Sequence, residues 1–325
     1  MTGMIPASGI DALHLEFAPG ALLLATVAFA LMLYGVALDT PLSAFRSVLR
    51  RPGVIAIGIL AQVVFLPAVA FALSLLLRVP GSVALGMLLL ASCPAGSVSN
   101  VLTYRATGDA ALSVSLSAIG NLLSVLTLPL NLMFWGRLHP TGGPVLEQLG
   151  ATVHLSALSM LSEVATVILL PTVLGILTAR FFPKVAERLK KILGPFSLIA
   201  LVAITGGAIA ANWAVSAQHL GMIVAINAVT HLTFLGFGYL ISRLFNQDRA
   251  STKALTFEVA ARNSTLATLL VFTFFGGLGG MALFSAWSGA WSILAGVTIA
   301  ALWKRFTERR QLRVAAPLTS TNPGE

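Results

Sequence analysis

Charge is what this chain has least of: of 325 residues only 10% are Asp, Glu, Lys or Arg, while 57% are apolar and the mean hydropathy is +0.92. About a quarter of the residues of an ordinary soluble domain are charged, so no water-facing surface could be assembled here. Cysteine is nearly absent as well. A single Cys93 excludes an internal disulfide and a cysteine-built zinc site, and the five histidines (His14, His139, His154, His219, His231) have no close metal-ligand spacing. No metal cofactor of that kind is expected. The N-terminus lacks the basic leader of a secretory signal: Asp11 and Glu16 precede the first apolar run and no Lys or Arg occurs before Arg46. The first span is therefore expected to be retained. A net charge of +9 could suggest nucleic acid, but the basic residues stand in short clusters between apolar runs, without the aromatic-interleaved face such a partner needs.

What is present is a series of long apolar segments, at about 20–38, 53–78, 81–104, 110–135, 152–179, 194–214, 219–242, 252–275 and 277–303. Each is long enough to cross the hydrocarbon layer, which takes roughly 20 residues of helix. Runs such as Ala21 to Leu33 are apolar all round rather than alternating, which excludes barrel strands. The expectation is an all-α polytopic membrane protein of about nine transmembrane helices. Seventeen of the 20 Lys and Arg residues fall on one side of that arrangement when the N-terminus is outside and the C-terminus cytoplasmic. The chain then divides into an external tail (1–19), a transmembrane domain (20–303) and a basic, then disordered, cytoplasmic tail (304–325). A bacterial inner membrane is the expected location, with the lipid bilayer as partner and no obligate protein partner.

Two spans break the apolar rule. The first does so at Ser92-Cys93-Pro94-Ala95-Gly96-Ser97-Val98-Ser99-Asn100, where Pro94 removes a backbone donor and Gly96 permits unwinding. The second does so at Phe257-Glu258-Val259-Ala260-Ala261-Arg262-Asn263-Ser264-Thr265, which sets a carboxylate, a guanidinium and an amide within six residues. A charge at the centre of a membrane helix costs roughly 2.5–3.5 kcal/mol on insertion scales, so Glu258 and Arg262 need partners or a wet cavity. Spaced i, i+4, they could form a structural ion pair along one helix; a pocket for ions or an anionic solute is the preferred reading. Gln62 adds a buried amide before Pro67, and Ser113, Ser117 and Asn121 share a face of the span after the first break. Glu163 is the one other acid in a span.

The stretch Cys93-Pro94-Ala95-Gly96-Ser97-Val98-Ser99-Asn100-Val101-Leu102-Thr103-Tyr104, then Gly108-Asp109-Ala110-Ala111-Leu112-Ser113, together with Glu258-Val259-Ala260-Ala261-Arg262-Asn263-Ser264, resembles the bile acid:sodium symporter family. The similarity runs from about Leu33 to Trp291. It implies a core domain and a panel domain, inverted repeats, and two discontinuous helices crossing in the core, here in a nine-helix form. It also implies a first sodium site on Ser99, Asn100, Ser113, Ser117 and Glu258, and a second on Gln62, Glu258 and the carbonyls of Val259 and Ala261, with a glutamine at the next position. Here that position is Arg262, whose guanidinium has only donors and a fixed positive charge. Arg262 could replace the second sodium or hold a substrate carboxylate; Ser97, Asn100, Arg262 and Asn263 are the expected substrate contacts.

The function so implied is sodium-coupled uptake of a small organic anion, bile-acid-like or a small carboxylate, by alternating access. Sodium is the coupling ion and there is no other cofactor. A related arsenite or metalloid exporter and a membrane receptor that binds a solute without moving it are the alternatives. No nucleophile-and-base arrangement marks an enzyme.

Overall fold

A computed structural model of the chain describes residues 9–15, 19–38, 51–152, 162, 165–211 and 213–315. Regular structure among them is helical throughout. The elements are α1 (Pro19–Leu38), α2 (Pro52–Leu76), α3 (Gly81–Ser92), α4 (Ser97–Arg105), α5 (Ala110–Leu138), α6 (Gly142–Thr152), α7 (Leu170–Phe181), α8 (Pro183–Ala211), α9 (Trp213–Leu244), α10 (Arg249–Ala260), α11 (Ser264–Phe274) and α12 (Gly279–Ala315). Among the described residues, four stretches are long and apolar enough to cross a membrane by themselves: Pro52–Leu76, Ala110–Leu138, Ala217–Leu244 and Gly279–Thr307. The pairs α3/α4 and α10/α11 fall on the two apolar segments that the sequence shows as broken. Glu163 lies outside the described residues, as does the tail from 316; Val314 and Ala315 continue α12. The short helix α6, which buries Val145, Leu146 and Leu149, occupies a stretch that the apolar pattern leaves between two spans.

Two groups of helices can be told apart by their packing. In one, α1 lies against α7 and α8; Gly175 lets the backbones of α7 and α1 approach at Tyr34 and Ala37, and the Tyr34 hydroxyl donates to Thr178 Oγ1 at 3.0 Å. Leu38, Ala186 and Leu193 form a small apolar cluster there. In the other, α3 packs on α5, α12 and the second half of α2, while α4 and α10 pack on each other and α9 lies along α10 and α12. Within α2, residues Ala61–Phe65 form a π-turn just ahead of Pro67. Proline has no N–H to offer the carbonyl four residues back, and the freed Val63 oxygen instead accepts from Asn131 Nδ2 at 2.9 Å.

Each end of the second group is stapled. At one end, residues 9–15 form a strap: Asp11 accepts from the backbone of Gly81 and Ser82 (3.2 and 2.9 Å) and from the Ser82 hydroxyl (2.5 Å), capping α3 from 70 residues away. Leu13 O accepts from Gly279 N, and Leu15 N donates to Gly277 O, each at 2.7 Å. The turn from α11 into α12 depends on Gly276 and Gly277, whose φ angles of +54° and +68° favour glycine. At the other end, Asp109 caps α5, Asp248 caps α10, and Arg51 lies 3.4 and 3.9 Å from their carboxylates. Lys253 spends its three N–H donors on Ala106 O, Thr107 Oγ1 and Thr307 Oγ1, tying α10 to the end of α4 and to α12.

Removing the long-range cap by Asp11→Ala is expected to cost about 1 kcal/mol, read as a lower unfolding temperature in detergent. For Asp248, partial burial pushes the carboxyl up, but hydrogen bonds from the Ser251 hydroxyl and the Ser251 and Ala250 amides, with the Arg51 charge, outweigh it and hold the group below its ordinary range. A depressed carboxyl contributes stability above its unfolded pKa and loses it as the pH falls through the folded one. The difference in unfolding temperature between the wild type and Asp248→Asn should thus be full at neutral pH and vanish under strong acid; a gap that does not change with pH would contradict this capping role.

Candidate functional site

The two breaks face each other. After α3, Cys93 to Gly96 run extended, Cys93 with φ −63° and ψ 151° and Gly96 with φ −85° and ψ 166°. After α10, Ala261 leaves the helix at φ −87°, ψ 74°, and Asn263 restarts it by accepting the Leu266 N–H at 3.0 Å. The extended pieces pair as an isolated antiparallel bridge: Gly96 N donates to Ala261 O and Asn263 N to Pro94 O, each at 2.9 Å. Each break therefore satisfies backbone groups that the other would otherwise leave bare.

Glu258, on the last turn of α10, is fully buried. The Ser99 hydroxyl is 2.6 Å and the Ser113 hydroxyl 2.6 Å from Oε1, and the Ser117 hydroxyl is 2.9 and 3.0 Å from the two carboxylate oxygens. Asn100 Oδ1 joins the group, 2.8 Å from Ser113 Oγ and 3.4 Å from Ser117 Oγ, and Gly96 O lies 2.7 Å from Ser99 Oγ. These are seven oxygen–oxygen contacts with three hydroxyl protons to share among them. The surplus of lone pairs around one buried negative charge suits a small hard cation of single charge. All five residues assigned to the first sodium site from the sequence meet here, brought from α4, α5 and α10.

Arg262 does not form the helical ion pair that its spacing allows. Because α10 ends at Ala260, the residue is off the helix, and among the described residues no carboxylate–guanidinium contact within 4 Å joins it to Glu258. Its buried guanidinium instead donates from Nη1 to Gln62 Oε1 at 2.9 Å and to the Glu258 carbonyl at 3.0 Å, and from Nη2 to the Cys93 carbonyl. The π-turn of α2 carries Gln62. Both carbonyls lie at helix C-terminal ends, where the backbone dipoles favour a cation. Of the other residues expected around a second ion, Ala261 has its carbonyl engaged by Gly96, and Val259 is buried in the last turn of α10.

A narrow cleft opens beside the Glu258 cluster. Ser97, Asn100, Ser117, Asn121 and Asn263 line it, with Ala95, Gly96 and Leu33. Three of the four expected substrate contacts border this space; Arg262 does not. Asn121 continues the serine face of α5, as its spacing indicates, but Leu33 comes from α1, and one leucine among many in an apolar run gives no signal in sequence. Among the described residues, no group of three or more His, Cys, Asp or Glu side chains is placed to hold a metal.

Comparison with known proteins bears on this geometry. Residues 26–219, more than half of the chain, match the model of the Sodium Bile acid symporter family. The chain is 28% identical over 290 residues to the "Uncharacterized sodium-dependent transporter YocS" of Bacillus subtilis (strain 168), covering 88% of this chain and 84% of that protein. It is 28% identical over 279 residues to the "Probable sodium/metabolite cotransporter BASS1, chloroplastic" of Arabidopsis thaliana (86% of this chain, 66% of that one). With the "Ileal sodium/bile acid cotransporter" of Homo sapiens it shares 25% over 251 residues (76% of this chain, 68% of that one).

Replacing Arg262 by leucine would leave the Cys93 and Glu258 carbonyls and Gln62 Oε1 without the donor they share, and the Glu258 carboxylate without a neighbouring cation. A loss of about 3 kcal/mol or more of stability is expected, seen as a lower unfolding temperature in sodium-free detergent solution. An unchanged temperature would show that these contacts carry little weight.

Proposed function

Because this chain belongs to the Sodium Bile acid symporter family, we propose that it is a sodium-coupled carrier that takes up an organic anion by alternating access. The observation that carries this reading is the convergence of Ser99, Asn100, Ser113 and Ser117 on the buried Glu258 carboxylate, as a site for one sodium ion. The names of its relatives agree in kind, since each is called a sodium-dependent transporter or a sodium cotransporter. In this reading α2–α5 and α9–α12 make up the moving core and α1, α7 and α8 belong to the panel, with nine crossings between residues 20 and 303. The N-terminal tail is external and the basic segment from residue 304 cytoplasmic. The anion sits in the cleft, where the restarting half-helices α4 and α11 present their N-terminal ends, the ends that attract negative charge. The lining of the cleft includes Ser97, Asn100, Ser117, Asn121 and Asn263, side chains that suit a small carboxylate.

Arg262 is the resident second cation in this scheme. Its guanidinium bonds Gln62 and the main chain of both breaks, and it stands outside the cleft, which supports replacement of an ion over grasp of the substrate. The charges then balance: Glu258 and Arg262 cancel, as do one sodium ion and a monoanion. Removal of a charge-balancing partner from so dry a site would be costly.

Two measurements test the proposal. Sodium, in place of potassium, is expected to raise the unfolding temperature of the purified protein, because an ion bound only by the folded state at a hundred times its Kd contributes about 2.7 kcal/mol. Glu258→Gln should abolish that shift; a sodium shift that survives the substitution would place the ion elsewhere. In proteoliposomes, uptake should rise with sodium at a Hill coefficient near one, and Arg262→Gln should move it toward two. A wild-type coefficient near two would remove Arg262 from the role of resident cation, and Arg262→Gln that keeps its sodium shift but no longer binds solute would make Arg262 a substrate contact.

A further inference from the structure

Helix α12 is longer than its crossing requires. It runs unbroken for 37 residues, Gly279–Ala315, about 55 Å at the rise of an α-helix, against a hydrocarbon layer about 30 Å thick. Its apolar part ends at Thr307, and Lys304, Arg305, Arg309, Arg310 and Arg313 stand within ten residues that hold one acid, Glu308.

The packed face of this end of the helix is fixed by contacts. Trp303 lies against the rings of Phe257 and Tyr239, with centroids 5.4 and 6.4 Å apart, and Thr307 accepts from Lys253. Away from that face stand Leu294, Leu302 and Phe306, 60%, 46% and 65% exposed, as apolar residues in contact with acyl chains would be. Arg305 is exposed, and Arg309 and Arg313 follow it at intervals of four residues along the helical backbone, so that the three positions share one face of the helix. Lys304 and Arg310 fall off this face.

We propose that this stripe, exposed apolar residues followed by Arg305, Arg309 and Arg313, is a docking surface for an anionic phospholipid. The acyl chains lie along Leu294, Leu302 and Phe306, and the arginines bond the headgroup phosphate with their planar forks. Basic clusters directly after a membrane helix attract anionic lipid in general. A preference for cytoplasmic placement explains why Lys and Arg occur here but is indifferent to which side of the helix they occupy. The alignment is what points to a lipid.

The test compares full-length protein in phosphatidylcholine with and without added phosphatidylglycerol, reading unfolding temperature and the lipid retained in native mass spectra. The wild type and Lys304→Gln/Arg310→Gln should both retain phosphatidylglycerol and be stabilised by it. Arg305→Gln/Arg309→Gln, with the same change in charge, should lose about fivefold in retention for each arginine removed. Unfolding in phosphatidylcholine alone reports whether each variant is folded. Equal loss in both double variants would overturn the proposal in favour of diffuse charge attraction, and so would an equal shift given by inorganic phosphate. Since the readouts need no solute, a failed transport assay leaves this result standing.

Discussion

An unpaired backbone amide or carbonyl costs several kcal/mol when it is buried away from water, and two helices of this protein break in its buried interior. They can do so because each break supplies the other's partners: Gly96 N–H to Ala261 O, and Asn263 N–H to Pro94 O. Each interruption depends on its counterpart for these bonds, so the crossing is a joint property of two segments more than 160 residues apart in the chain. The rest of the site is arranged around it. Glu258 is carried one turn before the break of α10, Ser99 and Asn100 one turn after the break of α3, and α5 lays its serines across both.

Arg262 completes the crossing electrically. Helix ends concentrate partial negative charge on their last carbonyls, and the guanidinium bonds one from each of the two half-helices that end here. The polar support reaches outward: the π-turn carries Gln62 to the guanidinium, and Asn131 takes up the carbonyl that Pro67 leaves free. At the two ends of the group, the strap around Asp11 and the Arg51–Asp109–Asp248 cluster fix α3, α5, α10 and α12 against one another. The Glu258 cluster therefore rests on a set of helices that are tied at both ends and in the middle.

Much of this was legible in the sequence because polar residues in an apolar chain stand out. Pro94 and Gly96 mark one break, Glu258 with Arg262 and Asn263 the other, and the i, i+4 spacing of Ser113 and Ser117 puts their hydroxyls on one face. The resemblance grouped Gln62, Glu258 and Arg262 in one site, and Arg262 bonds Gln62 Oε1 and the Glu258 carbonyl; its bond to the Cys93 carbonyl, and its lack of a bond to the Glu258 carboxylate, were not legible. The i, i+4 rule applies only inside a helix, and where a helix ends depends on the segment crossing it. The cap that Asp11 lends to α3 was hidden for a similar reason: its partners are main-chain amides far along the chain, and these have no signature of their own. Leu33, from α1, could not be distinguished from the apolar residues around it.

A cation built into the chain differs from a dissolved one in that it never leaves. In the proposed scheme, the Glu258 carboxylate and the Arg262 guanidinium remain as a neutral couple when the cleft and the sodium site are empty, and the reset of the empty carrier carries no net charge through the bilayer. An ion moving down a potential of 100 mV gains about 2.3 kcal/mol; a reset that moves no charge neither gains nor loses by it. In a cycle of one sodium and one monoanion the loaded leg is neutral too, so the voltage across the membrane has no hold on either half of the turnover, and accumulation of the solute can rise no further than the ratio of sodium concentrations on the two sides.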